Sequence, residues 1–233
     1  MPVDPAMLDE IPLVANLDRE AKASLTLRCT TRTYSQAQEI ISKENNARDV
    51  YFITSGSARV VNWSSGGREV NFEDIPGGGM FGEMAAIDGA PRSATVVALE
   101  PTEVCIIDGA SFMSAVLSSP ETSRRLMERV SAIIRRSTGR IFDLSVCGAN
   151  IRIYADLLRL SKPAADGGNG GDGGNSAVIM PIPIHADIAA RVSTTRETVA
   201  RVLGDLSRRE IVIREKDRLI VPDTGQLAEM VED

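Results

Sequence analysis

The stretch FGEMAAIDGAPRSATV, Phe81 to Val96, places a carboxylate, Glu83, and a guanidinium, Arg92, among apolar and small residues, with Asp88 set apart in an Asp-Gly turn signal. Burying either charge is costly unless it finds a partner. The two therefore bind each other, face water, or grip a ligand. The surrounding sequence has to decide between these.

Upstream and downstream of this stretch, from about Arg28 to Asp108, the chain is broken into short runs rich in β-branched and aromatic residues. Val50 to Ile53, Ala58 to Trp63, Glu69 to Phe72, Ser93 to Ala98 and Glu103 to Ile107 are expected strands. Turn signals at Ser55-Gly56, Ser65-Gly66-Gly67, Pro76-Gly77-Gly78-Gly79 and Asp88-Gly89 separate them. Short strands at this spacing indicate a β-sandwich or barrel.

After Pro120 the period changes. Leu126, Val130, Ile133, Ser137, Arg140, Leu144 and Cys147 recur at alternating steps of four and three, with Ile134 and Ile141 broadening the stripe. This is a coiled-coil seam, so the helix is expected to pair with a second copy. Ser137 interrupts the seam and Thr138 follows it. Taken on the helix alone, such hydroxyls fix register; the sharper reading is a ligand contact. A second helix, IRIYADLLRLS, precedes the Gly-rich stretch SKPAADGGNGGDGGNSA, expected to be a flexible surface loop.

The segment IPIHADIAARVSTTRETVARVLGDLSRREIVIREKDRLIVPD reads as helix, short turn, helix, hairpin. Ile184, Ile188, Ala189 and Val192 mark the first helix; Val199, Val202, Leu203 and Leu206 mark the second. Thr194 and Glu197 have the T-x-x-E spacing of a capping box, so the second helix starts near Thr195. Such a helix pair puts the first residues of its second helix against base edges, here Thr195, Arg196, Glu197 and, one turn on, Arg201. Arginine reads guanine O6 and N7, and glutamate accepts from the cytosine amino group. By itself this charge run is an ordinary solvated surface. The helix pair, the cap and the hairpin, with Arg208 and Arg209 further along, favour DNA.

Composition narrows the classes. A chain of 233 residues, 43% apolar and 25% charged, can bury a core in one large or two smaller domains. No apolar run is long enough to span a bilayer, and MPVDPAMLDEIP lacks the features of a secretion signal, so a cytoplasmic protein without a membrane partner is expected. Cys29, Cys105 and Cys147 lie far apart without CxxC spacing, and His185, the only histidine, has no clustered ligands. That pattern argues against zinc, iron–sulfur, haem or a disulfide framework, leaves no expected metal or cofactor, and makes the cysteines packing residues. No nucleophile, base and oxyanion arrangement indicates an enzyme. The net charge of −6 does not advertise nucleic acid, so the local arginines must carry that case.

Two stretches some ninety residues apart now match one architecture. FGEMAAIDGAPRSATV resembles the phosphate-binding cassette of cyclic-nucleotide-binding domains, and TTRETVARVL resembles the recognition helix of the bacterial cAMP receptor protein (CRP/FNR) family of transcription regulators. The resemblance implies an α+β fold: a cyclic-nucleotide-binding β-roll (jelly roll) over residues 1–120, a long dimerisation helix over 121–148 and a winged helix-turn-helix over 149–233. It implies a homodimer that binds double-stranded DNA, has RNA polymerase as a partner and takes cAMP as effector. In the family's cassette the glutamate accepts from the ribose 2′-hydroxyl and the arginine pairs with the cyclic phosphate, which puts Glu83 and Arg92 in those roles. Both charges would then find partners only with ligand bound. Gly82 allows close backbone approach, the amides of Gly82, Met84 and Ser93 reach ribose or phosphate oxygens, and the Ser93 hydroxyl adds a donor. An internal Glu83–Arg92 ion pair is the plainer alternative.

Ser137 and Thr138 stand where the family carries a Thr-Ser pair against adenine, with the order reversed; because hydroxyls donate and accept, cGMP is a second effector. By family analogy Arg196, Glu197 and Arg201 read a TGTGA-like half-site of a palindrome. Ser193 departs from the pattern, standing where the turn usually has glycine. Two alternatives follow from the same resemblance. One is a family member sensing another ligand. The other is a nucleotide-binding regulatory subunit acting on a protein partner, since the Glu83 to Arg92 spacing also resembles that of protein kinase A regulatory subunits.

Overall fold

Strand β3 (Val50–Ser55) opens with four buried residues, and their alternation organises the N-terminal half. Side chains alternate across a strand. Tyr51 and Ile53 accordingly join one apolar cluster, with Phe81, Val96 and Val104, while Val50 and Phe52 join another, with Leu8, Ile107 and Phe112. A strand covered on both faces reads as an unbroken apolar run, which is why Val50 to Ile53 stood out in the sequence.

This computed structural model describes residues 5–163 and 175–232, and the chain divides into two compact units, residues 1–136 and 137–233. In the first unit, β1 (Thr30–Tyr34), β8 (Thr102–Ile107), β3 and β6 (Met80–Phe81) form one antiparallel sheet in the order β1-β8-β3-β6. A second antiparallel sheet runs β2-β7-β4-β5, from β2 (Glu39–Ile41), β7 (Thr95–Ala98), β4 (Ser57–Trp63) and β5 (Glu69–Pro76). The two make the expected β-roll. The β3–β4 turn needs Gly56: its φ is +83°, and a Cβ there would lie 2.5 Å from the Pro101 carbonyl oxygen.

Helices cover one face of the first sheet. Helix α1 (Arg19–Thr26) is capped by Asp18, which accepts from the Ala21 amide at 2.7 Å. Helix α2 (Glu83–Asp88) lies inside the cassette stretch, and α3 (Gly109–Ser118) is capped by Asp108, which accepts from the Ser111 amide at 2.9 Å. Phe112 of α3 meets Phe52 with ring centroids 6.3 Å apart. Both are fully buried, so truncating either costs about 3–5 kcal/mol.

Three details correct the sequence reading. Strands β1, β2 and β6 were not expected, because TTRTY is largely polar and exposed and the other two are short. The run Ser93 to Ala98 becomes a strand only at Thr95, and Glu69 to Phe72 extends to Pro76 past a bulge at Val60/Val61. Asp88-Gly89 turns the chain as expected, at the end of a helix that was not expected: Gly89, at φ +70°, caps α2.

Helix α4 (Pro120–Val146) is the long helix, and its open face keeps Val130, Ser137 and Leu144 of the expected seam, with Ile134 and Ile141, but not all of it. Leu126 is 6% exposed and packs in the core with Leu8 and Phe112, and Arg140 bonds to backbone in the second unit. The large apolar residues left to solvent are Met127, Ile134, Ile141, Phe142, Leu144 and Val146, at 63%, 60%, 65%, 62%, 42% and 65% exposure. Of these, Met127, Ile134, Ile141 and Leu144, together with Val130 and Ser137, follow steps of three and four, displaced by one position from Leu126, Ile133 and Arg140. Periodicity sees two apolar stripes on one helix and cannot say which of them the chain itself covers.

In the second unit, α5 (Ala149–Leu160), α6 (His185–Val192), α7 (Arg196–Arg208) and α8 (Thr224–Glu232) pack around Ile153, Leu157, Ile188, Val199, Leu206 and Leu227. A sheet ordered β11-β12-β10-β9 completes it, from β9 (Lys162–Pro163), β10 (Ala177–Ile179), β11 (Ile213–Arg214) and β12 (Leu219–Val221). The β11–β12 hairpin is the expected wing, closed by the Glu215 amide on the Arg218 carbonyl at 2.9 Å. Asp156, 5% exposed, accepts from Arg191 of α6 at 2.8 and 3.1 Å and so ties α5 to α6. The Gly-rich stretch expected to be a loop lies mostly at residues 164–174, outside the described residues.

Candidate functional site

Gly82 sets the geometry of the cassette. Its φ of +85° turns the chain from β6 into α2, and a Cβ there would lie 2.8 Å from both Arg92 Nη1 and the Asp49 carbonyl oxygen. Only glycine fits on both counts. The space it leaves is taken by Arg92, 5% exposed, whose Nη1 donates to the Gly82 carbonyl and Nη2 to the Asp49 carbonyl, each at 2.8 Å. Its Nε is buried without a hydrogen-bond partner. The guanidinium carbon sits 5.9 Å from the Tyr51 ring centre, and Tyr51 stacks on Phe81 at 5.1 Å.

Burial pushes the Arg92 pKa below its ordinary value, while Tyr51, Asp49 and Glu83 pull it back up. Arginine starts so high that it stays charged. Arg92 is thus a buried cation held by two neutral carbonyls, with its Nε–H left without a partner. No ion pair among the described residues joins it to a carboxylate.

Glu83, 4% exposed, begins α2 and does not pair with Arg92. Its Oε1 lies 3.4 Å from Arg129 Nε on α4, and Arg129 Nη2 also donates to the Met80 carbonyl at 2.8 Å. The expectation that both charges find partners only with ligand bound is therefore corrected. Each has protein partners, Glu83 a cation and Arg92 two carbonyls and the face of Tyr51. Arg129 escaped sequence reasoning; its sole signal was a charge flanking the helical stripe.

The remaining cassette residues lie on the open side. Ser93 is exposed and its hydroxyl donates to the Sδ of Met84, itself 42% exposed, at 3.6 Å; Asn62 Nδ2 donates to the Ser93 carbonyl at 3.4 Å. The fold thus brings Gly82, Glu83, Met84, Arg92 and Ser93 together in the first unit. Ser137 and Thr138 are exposed on α4 and belong to the second.

In the second unit, Thr195 rather than Thr194 is the N-cap of α7. Its Oγ1 accepts from the Thr198 amide at 3.2 Å, whereas Thr194 is 8% exposed and its amide bonds the Ala189 carbonyl at 2.9 Å. The helix thus starts near Thr195 as expected, but on a simple threonine cap with Thr198 at its third position rather than on a Thr194–Glu197 capping box. Arg196, Glu197 and Arg201 are exposed on the face opposite the buried Val199, Val202 and Leu206. Arg208 and Arg209 both pair with Asp205, at 3.2 and 3.7 Å, so they add less free positive charge than expected. Backbone and Thr195 hydrogen bonds hold the Glu197 carboxyl below its usual pKa. Ser193 makes the turn in the left-handed region, at φ 54° and ψ 53°, without glycine.

Residues 31–119 match the family described as "Cyclic nucleotide-binding domain", and residues 151–230 match "Crp-like helix-turn-helix domain". Together they take in the cassette, the paired helices and the wing. The chain belongs to the CRP/FNR family of transcription regulators. Among relatives of this CRP/FNR protein, the "Cyclic AMP receptor protein" of Thermus thermophilus is 27% identical over 181 residues, 78% of each chain. The "CRP-like cAMP-activated global transcriptional regulator" of Mycobacterium tuberculosis is 23% identical over 225 residues, 95% of this chain and 98% of that one. In fold it is similar to a CooA mutant from Carboxydothermus hydrogenoformans, with a TM-score of 0.75 at 21% identity over 95% of both chains. The CRP/FNR protein is a cyclic-nucleotide-binding, DNA-binding regulator, not an enzyme. Its winged helix-turn-helix sets it apart from kinase regulatory subunits. Among the described residues no group of three His, Cys, Asp or Glu could hold a metal, and no helix is long and apolar enough to cross a membrane.

Proposed function

We propose that this CRP/FNR protein is a cytoplasmic homodimer whose affinity for a palindromic, TGTGA-like DNA site is switched by cAMP. The observation that carries the effector is Arg92: a buried guanidinium without a carboxylate partner and with an unpaired Nε is matched to a phosphate monoanion. Arg92 and the Ser93 hydroxyl bind the cyclic phosphate, the amides of Gly82 and Met84 line the sugar, and Glu83 exchanges Arg129 for the ribose 2′-hydroxyl. Ser137 and Thr138 supply hydroxyls to the base. Relatives whose names carry cAMP support that nucleotide over others.

The dimer forms through the open stripe of α4, where Met127, Ile134 and Ile141 leave apolar area in water. Two-fold symmetry then sets the two α7 helices roughly 34 Å apart, one turn of the duplex. Thr195, Arg196, Glu197 and Arg201 read each half-site, and the DNA-bound dimer meets RNA polymerase. Nucleotide shifts the equilibrium only by binding the DNA-competent arrangement more tightly than the other.

A second effector, cGMP, is favoured by one observation: both Ser137 and Thr138 are exposed hydroxyls that can donate to the guanine carbonyl or accept from its amine. Calorimetric titration with cAMP and with cGMP, each followed by a gel shift on the palindrome, tests both. Tight cAMP binding with a shift only in that complex is the expected result. A shift with cGMP alone overturns the assignment, and binding of neither removes the cyclic-nucleotide switch.

A further inference from the structure

The turn between α6 and α7 is held from two sides by arginines. The last carbonyls of a helix have no partner within it and carry its negative dipole end, so cations are favoured there. Arg152 of α5 donates to the Val192 carbonyl at 2.9 Å, to the Ser193 carbonyl at 3.4 Å and to the Cys147 carbonyl at 2.7 Å. Arg140 of α4 donates through Nη2 to the Ala190 carbonyl at 3.2 Å and to the Ser193 hydroxyl at 3.1 Å.

Ser193 is an unfavourable residue for its conformation. At φ 54° a side chain is strained where glycine would not be. What serine offers in exchange is Oγ, a side-chain acceptor that Arg140 reaches at 3.1 Å. Thr194 and Thr195 follow at once, the second capping the helix that presents Arg196 and Glu197. On α4, Arg140 sits three residues after Ser137 and two after Thr138, so Ser137 and Arg140 share one helix face.

We propose that Arg140 is the positioning residue that makes the DNA-reading turn follow the long helix, with the Ser193 hydroxyl as its receiver. A rotation or shift of α4 at Ser137 is passed through the Arg140 guanidinium to Ala190 and Ser193, and from there to the start of α7. Arg152 keeps the turn folded when that link is cut. The link to nucleotide rests on the reading proposed above; the link from α4 to the turn does not.

The test uses the full chain and a duplex selected by the wild-type protein from random DNA. Affinity for it is measured by fluorescence anisotropy, with and without saturating cAMP, for Arg140→Ala, Ser193→Ala, Ser193→Gly and the Arg140→Ala, Ser193→Ala double variant, after thermal melting has established that each folds. A charged hydrogen bond of this kind makes about a tenfold difference. The ratio of the two affinities should therefore fall about tenfold in each single variant and no further in the double, while cAMP affinity without DNA stays within about twofold of wild type. Ser193→Gly relieves the strain and removes the hydroxyl, so a loss of coupling there assigns the effect to the hydrogen bond. Wild-type ratios in the single variants, additive losses in the double, or normal coupling in Ser193→Gly overturn the proposal. If cAMP leaves the wild-type affinity unchanged, the proposed effector fails. The inference is then read on DNA affinity alone, which Arg140→Ala and Ser193→Ala should lower equally and without adding; absent or additive effects overturn it.

Discussion

Arg129 Nε on the long helix lies 3.4 Å from Glu83 Oε1, so the buried carboxylate of the cassette is held by α4. Burying Glu83 without a cation is costly, although the 24% exposure of Arg129 softens the penalty. Arg129→Met is expected to destabilise the protein by about 1–3 kcal/mol in chemical unfolding, and adding Glu83→Gln should recover part of that. A single variant as stable as wild type would show that the pair contributes nothing.

Arg92 has a different environment, two carbonyls and a ring face, and needs an anion to complete it. Removing one partner of a buried charge pair costs about 2–5 kcal/mol of binding. Arg92→Ala should thus weaken cyclic-nucleotide binding at least about thirtyfold in calorimetry without lowering the DNA-free melting temperature by more than a few degrees. Arg92→Lys should not rescue it, because an ammonium cannot span Gly82, Asp49 and a phosphate at once. Unchanged affinity in either variant removes Arg92 from the phosphate site.

On α4, the uncovered stripe discriminates between two helical registers. Ile134→Arg and Ile141→Asp place charges on residues 60% and 65% exposed within one chain, so they should fold normally yet sediment as monomers. Leu126→Ala, by contrast, should lower stability by about 2–5 kcal/mol, because Leu126 lies in the core. Dimers surviving both charge insertions would place the interface elsewhere.

Glu197→Ala should relax the preference for cytosine at one half-site position roughly tenfold, read by selection from random duplex DNA. Hydrogen bonds from backbone and Thr195 lower the Glu197 pKa. A lowered carboxyl keeps its charge above the ordinary range near about 4.3 and loses it only as pH falls further. The wild-type preference should therefore be the same in selections at pH 7 and pH 5. A preference that fades by pH 5 would assign the reading to another group.

Asp156 joins α5 to α6 through a bidentate bond to Arg191, and Arg159 adds a third donor. Its removal strands a mostly buried guanidinium, so Asp156→Ala is expected to cost about 3–5 kcal/mol. Replacing the pair together, Asp156→Leu with Arg191→Met, should cost much less. Equal losses in urea unfolding would mean the packing, not the charge, holds α5 to α6.

The sequence by itself determined the parts whose signal is local. Val50 to Ile53 announced a strand buried on both faces, the change of period after Pro120 announced a long helix, and the helix-turn-helix showed through the spacing of Ile188, Val192, Val199 and Leu206. The cassette was legible for the same reason: Gly82, Glu83, Arg92 and Ser93 lie within one short stretch, and Gly82 is dictated by a backbone turn.

What only the tertiary structure decided are choices between partners remote in sequence. Glu83 takes Arg129, 46 residues away, over Arg92, nine away, because α2 turns the carboxylate toward α4 while Arg92 reaches back to Asp49 and Gly82. Leu126 is a core residue and Met127 an open one because part of α4 lies on Leu8 and Phe112, a fact that no heptad contains. Ser193 can hold a glycine's conformation while an arginine 53 residues earlier bonds its hydroxyl. Spacing records which residues share a face; which neighbour then satisfies a buried charge or covers an apolar stripe depends on contacts made when the chain closes on itself.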